Sequence, residues 1–224
     1  MCQCVRITDV SKDSTNLLLS VLAAFLVIIG MGLAFSFGPS LITDLQRPAF
    51  NAAPGAIVKE PATEMRDFTL TDQTGKSLKL SDLRGKAVML FFGYTHCPDY
   101  CPLSLAQYAQ IKKALGADAD RVAFVMISLD GERDTPDVLN AYMKQFDPAF
   151  IGLTGDPEKV RSIGEDYAVQ FQKQRLKGTQ AEYIVAHTTF MYLLDPQGRW
   201  RIAYPYDVPR ADITADIQRI LAKP

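Results

Sequence analysis

Two cysteines separated by three residues, Cys97 and Cys101, lie in the stretch Gly93-Tyr-Thr-His-Cys-Pro-Asp-Tyr-Cys-Pro102. The apolar run Ala87-Val-Met-Leu-Phe-Phe92 precedes it, and Leu105, Tyr108, Ile111 and Leu115 follow at helical spacing. Both thiols are therefore expected where a buried strand gives way to a helix. The partial positive charge and free N–H groups of a helix start favour thiolate, which is both the nucleophile and the metal-binding form of cysteine. Three intervening residues depart from the C-x-x-C of disulfide exchange without forbidding redox chemistry. As ligands, two soft sulfurs select copper(I) or zinc and leave either ion short of donors. The imidazoles of the sequence are His96 and His187. His96 adjoins Cys97, and neighbouring side chains in an extended loop diverge, so it is read as a solvated loop residue. By position alone, a histidine such as His187 is more often a structural or exposed residue than a ligand.

The elements that must position these groups follow from pattern. Phe68-Thr-Leu-Thr71, a turn at Asp72–Gly75 and Ser77–Leu80 predict a hairpin, and Ala87–Phe92 predicts a strand buried on both faces. Pro102 suits the first turn of the helix that Gly116 ends. Val122–Leu129 is a second buried strand; Thr135-Pro136 opens a helix bearing Leu139, Tyr142, Met143 and Phe146. Phe150–Leu153 and a helix from Asp156-Pro157 repeat the alternation. Thr188–Leu194, the Asp195–Gly198 turn, Trp200–Tyr204 and a helix from Pro209 close the chain, with Trp200, Tyr204 and Tyr206 expected to pack the last hairpin. This order predicts an α/β, thioredoxin-like fold with an N-terminal β-hairpin addition and a central insertion.

One transmembrane helix is expected ahead of it. Every residue from Leu17 to Phe37 is apolar, small or hydroxylated, and such a run spans about 31 Å as helix, a bilayer core. Its length and the acids Asp9 and Asp13 favour a retained anchor over a cleaved signal peptide ending near Ala34 and Ser36. Arg6 and Lys12 precede the run and Arg47 follows, which directs the C-terminal domain outward. We expect residues 1–16 as a cytoplasmic tail, 17–37 as the anchor, 38–64 as a tether and 65–224 as the thioredoxin-like domain. Cys2 and Cys4 fall in the reducing tail and receive no role. The formal charge of −1 and the absence of a basic block interleaved with aromatics argue against nucleic acid as a partner.

The segment His187-Thr-Thr-Phe resembles the Pro-Thr-Thr-Phe that faces the active cysteines of many thioredoxin-like proteins, with histidine in place of the proline. That resemblance sets His187 opposite Cys97 and Cys101. The chain as a whole resembles the Sco/SenC family of copper proteins associated with cytochrome c oxidase assembly. The matches are Phe68-Thr-Leu-Thr-Asp72, Leu80-Ser-Asp-Leu-Arg-Gly85, the Gly93–Pro102 loop, Glu132-Arg-Asp-Thr-Pro136 and Phe150-Ile-Gly-Leu-Thr-Gly155. The resemblance implies copper at Cys97, Cys101 and His187. Three positions depart from the family pattern: Ala186 for an aspartate that would orient the imidazole, Tyr100 for an aliphatic residue, and Gly131 for a proline.

The resemblance implies a metallochaperone delivering copper to the dinuclear site of cytochrome c oxidase subunit II, with a thiol reductase and another copper donor as further partners. A bacterial inner membrane with the domain in the periplasm is the expected setting; the mitochondrial inner membrane facing the intermembrane space is the alternative. The competing activity is a thiol:disulfide oxidoreductase using Cys97 and Cys101 as redox pair, which would need no imidazole. A peroxidase fits less well, because Tyr94 stands where such sites carry threonine. Asp130, Glu132 and Asp134 are read as turn residues before a proline-capped helix. Lys173, Arg175 and Lys177 are read as a solvated loop, or a docking flap beside the metal.

Overall fold

The computed structural model describes residues 21–22, 52–175 and 183–222. The expected tail with Cys2 and Cys4, the anchor 17–37 apart from Val21 and Leu22, the first part of the tether, and Lys177 lie outside them. Among the described residues no helix is long and apolar enough to cross a membrane.

The domain is built outward from one strand. Ala87–Gly93 (β4) is buried at every position. It pairs in parallel with β5 (Val122–Ser128) and antiparallel with β9 (Met191–Leu194). A strand ladder on each side and helices on the faces leave no room for water, which is why the run carries no polar alternation. Burying each Leu or Phe of such a strand contributes about 2 kcal/mol. Tyr100–Leu115 (α1) lays Leu105, Tyr108, Ile111 and Leu115 on this layer and packs beside α4 (Arg210–Leu221), whose Ile213, Ile217 and Ile220 are buried. Phe91, Phe124 and Phe150 surround the Tyr108 ring.

The predicted alternation is present in order. The Thr135 hydroxyl accepts from the Val138 amide at the start of α2 (Pro136–Met143), and the Asp156 carboxylate accepts from the Glu158 and Lys159 amides at the start of α3 (Pro157–Asp166). Between them runs β6 (Ile151–Thr154), parallel to β5. The hairpin of β2 (Thr69–Asp72) and β3 (Ser77–Lys79) attaches antiparallel to β6, and β10 (Arg199–Tyr204) extends the other side beyond β9. With β1 (Ile57–Glu64) the eight-stranded order is β1-β10-β9-β4-β5-β6-β2-β3. This is the mixed α/β, thioredoxin-like arrangement that the sequence predicts.

Three segments differ from expectation. The last eight residues of the expected tether are β1, paired antiparallel with β10. Its register shifts between Val58 and Thr63, around Pro61, and most of it is exposed, so it shows neither a period of two nor an apolar run. The expected strand over 188–194 is shortened to β9 (Met191–Leu194), and a separate, unpredicted strand β8 (Tyr183–His187) ends at the histidine. The polar stretch containing Lys173 and Arg175 is strand, not loop. Phe171–Arg175 (β7) pairs with β8 in a separate two-stranded sheet, the central insertion.

Candidate metal centre

The Gly93–Pro102 loop leaves the carboxyl end of β4 and enters α1. The Leu129 amide donates to the Gly93 carbonyl at 2.8 Å and the Cys97 amide to the Tyr94 carbonyl at 3.3 Å, curling the chain into a bend. Buried Asp134 anchors the bend: its carboxylate accepts from the Thr95 amide at 2.9 Å, the Thr95 hydroxyl at 2.6 Å and the Ser128 hydroxyl at 2.6 Å. Gly93 is required by proximity. A Cβ there would lie 2.8 Å from Phe91 Cε2 and 2.9 Å from Cys101 Sγ.

Cys101, in the first turn of α1, is buried, and Cys97 is half-buried above it; both are free thiols. The Cys101 thiol, chief among the influences on it, draws the Cys97 pKa down to about 3. Burial opposes this, while the Asp99 and Cys101 amides support it. The helix start thus acts through specific N–H groups aimed at one sulfur, since Asp99 makes no side-chain cap. Cys101 moves the opposite way: the neighbouring Cys97 sulfur, burial and the negative charge on Cys97 all hold its proton in place.

His187 arrives from the end of β8. Its Nδ1 lies 2.8 Å from the Thr188 carbonyl. A carbonyl only accepts, so Nδ1 carries the proton and Nε2 presents its lone pair. Nε2 is 3.9 Å from Cys101 Sγ, and the ring stands edge-on to Tyr94 with centroids 6.0 Å apart. Ala186 therefore leaves no gap in orientation: a backbone carbonyl does what a carboxylate was expected to do, and side chains at 186 and 187 alternate faces of the strand. Buried Tyr94 has its phenol pKa raised by burial.

The donor atoms of Cys97, Cys101 and His187 all lie within 4.8 Å of one another. Bond lengths of about 2.3 Å to sulfur and 2.0 Å to nitrogen put three trigonal donors about 3.8–4.0 Å apart. The residues present fit such an ion, one pair being already at 3.9 Å. The cavity beside Cys101, lined by Phe91, Tyr100, His187 and Phe190 among others, amounts to about 10 Å³. That cavity has room for about one water or ion.

His96 lies outside this group. Its Nδ1 is 3.0 Å from the Thr95 hydroxyl and 3.8 Å from Asp134 Oδ1, with half its side chain exposed. Sequence reasoning missed two buried carboxylates. Asp130 and Asp134 flank the expected turn before the proline-capped helix and, at 1% and 0% exposed, also serve as buried anchors. Asp134 is satisfied by Thr95 and Ser128 and Asp130 by Tyr183 and Arg133, partners that turn composition conceals. Gly131 is fitted too, since a Cβ would meet the Gly155 carbonyl at 2.5 Å.

A thioredoxin-like domain presenting two thiols and one imidazole as a compact donor set defines a class of metal-binding, redox-capable proteins. The family model described as SCO1/SenC matches residues 58–222, and the chain belongs to that family. It is 41% identical over 134 residues to the mitochondrial protein SCO2 of Saccharomyces cerevisiae, covering 59% of this chain and 44% of that one, so the chain spans less than half of that relative. A SCO2-like protein of Rickettsia felis is 30% identical over 190 residues, covering 84% of this chain and 90% of the relative. The structure of Bradyrhizobium japonicum ScoI with copper bound superposes with a TM-score of 0.64 at 39% identity, over 70% of this chain and 99% of that one.

Proposed function

We propose that this protein is a copper metallochaperone that holds its cargo between Cys97, Cys101 and His187 and passes it to the dinuclear copper site of cytochrome c oxidase subunit II. One observation carries the reading: an imidazole 86 residues away in sequence is delivered, correctly tautomerised, to a pair of thiols. Disulfide exchange has no use for that group, and a three-donor site does. The copper-bound relative supports the choice of copper over zinc, as does the preference of soft thiolates for copper(I). Cys97 enters as thiolate, whereas Cys101 gives up its proton only as metal binds, so loading releases a proton. Transfer then proceeds by ligand exchange, with the half-buried Cys97 and the strand-end His187 as the donors nearest solvent.

The setting belongs to the same proposal. Residues 17–37 anchor the chain in a bacterial inner membrane, 1–16 face the cytoplasm, and the domain faces the periplasm, where tethering raises its effective concentration near a membrane oxidase. An oxidising compartment calls for a thiol reductase to keep Cys97 and Cys101 loadable, and for a donor of copper.

A thiol:disulfide oxidoreductase is the second reading, favoured by the contrast between Cys97 and Cys101. The Cys97 thiolate would attack a target disulfide and expel one target thiolate. Cys101, losing its proton, would then displace the second, leaving a Cys97–Cys101 disulfide and a reduced target. Copper titration of the reduced chain decides between them. We expect one copper per chain, with affinity lost in Cys97→Ser and strongly reduced in His187→Ala. Unchanged binding in His187→Ala together with fast disulfide reduction would give the site to the second reading.

A further inference from the structure

Among the described residues, the hairpin that carries His187 has no ladder to the eight-stranded sheet. Two strands alone are marginal in water, so side chains must fix this one on the domain. Along β8 the side chains of Tyr183, Val185 and His187 share one face. Val185 is buried, and the Tyr183 hydroxyl donates to Asp130 Oδ1 at 2.7 Å. Asp130, 1% exposed, is ion-paired through Oδ2 with Arg133 Nε and lies 3.8 Å from Lys173 Nζ on β7. Lys173 also reaches Glu132 at 2.6 Å. The Arg133 guanidinium lies 3.8 Å from the centroid of the Tyr183 ring, its Nη1 donates to the Tyr183 carbonyl at 3.4 Å, and Tyr94 faces it at 6.0 Å. Tyr94 in turn is the ring against His187.

Both strands of the hairpin are thus gripped by one short segment, and the grip is centred on a buried charge. Removing either partner of such a contact leaves a buried polar group unpaired, which is why the closed position is strongly preferred. Tyr183 and His187 sit about 13 Å apart along the strand, too far to touch, so one can affect the other only by moving the hairpin. We infer that Asp130 is the positioning residue for His187: through Tyr183 and Lys173 it clamps the β7–β8 hairpin against the domain and so sets how long the imidazole stays at the thiols. For copper the inference rests on the metallochaperone reading; for the hairpin itself it does not. The predicted docking flap is thereby given a lock near the turn end of the hairpin, where Tyr183 pairs with Arg175, instead of being a free loop.

The test uses the whole chain and Tyr183→Phe, which deletes one hydroxyl and keeps the ring against Arg133. Asp130→Asn is measured beside it; this keeps an acceptor for Tyr183 and removes the charge that holds Lys173 and Arg133. In the metal-free protein we expect amide hydrogen exchange at 183–187 to rise about tenfold in both variants, with β4 and β5 unchanged. With copper(I) bound, release to a competing chelator should be about tenfold faster than wild type. In a His187→Ala background, Tyr183→Phe should leave release unaltered, because the clamp acts only through the imidazole. Unchanged exchange at 183–187 in both variants overturns the inference. So does an equal acceleration of release with and without His187. If wild-type copper release is indifferent to His187→Ala, the metallochaperone reading falls, and the exchange measurement alone still upholds or overturns the clamp.

Discussion

Gly93→Ala tests whether the thiols are positioned by close packing under the end of β4. The new Cβ would sit 2.8 Å from Phe91 Cε2 and 2.9 Å from Cys101 Sγ. Ordinary contacts fall at about 3.5–4.0 Å, so each neighbour must retreat by about 0.6 Å or more. Phe91 is held edge-on by Tyr108 at 5.5 Å, and Cys101 is fixed in the first turn of α1. With neither free to yield, overpacking of this kind costs about 1–3 kcal/mol. A displaced Cys101 sulfur also spoils a donor set that needs to contract, and each 1.4 kcal/mol lost from binding is about tenfold in affinity. Denaturant unfolding of the metal-free chain and chelator competition for copper(I) measure the two effects. Gly164→Ala is the control: its Cβ would meet Val169 no closer than 3.5 Å, ordinary van der Waals contact, and alanine favours helix. Wild-type midpoint and wild-type copper affinity in Gly93→Ala would refute the packing argument.

Other perturbations follow from the same geometry. Asp134→Asn places an amide where the carboxylate accepts from Thr95 and Ser128; unfolding free energy should fall by about 2 kcal/mol, measured by denaturant titration. Alkylation of metal-free Cys97 should be nearly independent of pH between 5 and 8, because a thiol with a pKa of about 3 is ionised throughout that range. An ordinary cysteine slows about tenfold per unit below pH 8, and such a slope would contradict the assignment. Asp216→Ala removes the acceptor for the Ala53 amide and the buried Tyr204 hydroxyl. It should cost about 3 kcal/mol by thermal or denaturant unfolding and free the chain before β1 to exchange.

Much of the fold was legible because the central strands and helices carry one dominant signal each. Ala87–Phe92 and Val122–Leu129 are apolar runs, and Thr135-Pro136 and Asp156-Pro157 announce their helices. The edges were not legible. β1 is an exposed, irregular strand paired, among the described residues, with β10, and β7 after Phe171 is written in Gln, Lys and Arg. Such strands are defined by what they pair with, and a linear sequence does not display partners. In the site, the thiols were readable from spacing, and His187 only through the likeness of its segment to one that faces cysteines in other folds. Its orienting carbonyl at Thr188, the anchor Asp134 and the clamp at Asp130 depend on contacts across 1, 39 and 53 residues, respectively. For the last two, residue type gave the turn but not the burial or the distant partners.

The central claim is that this imidazole is a ligand of the same ion as the two sulfurs. X-ray absorption at the copper edge of the loaded chain measures that shell. The account predicts two sulfurs near 2.3 Å and one nitrogen near 2.0 Å, with the nitrogen lost in His187→Ala and both sulfurs retained. A shell of sulfur alone in the wild type, identical in His187→Ala, would contradict it.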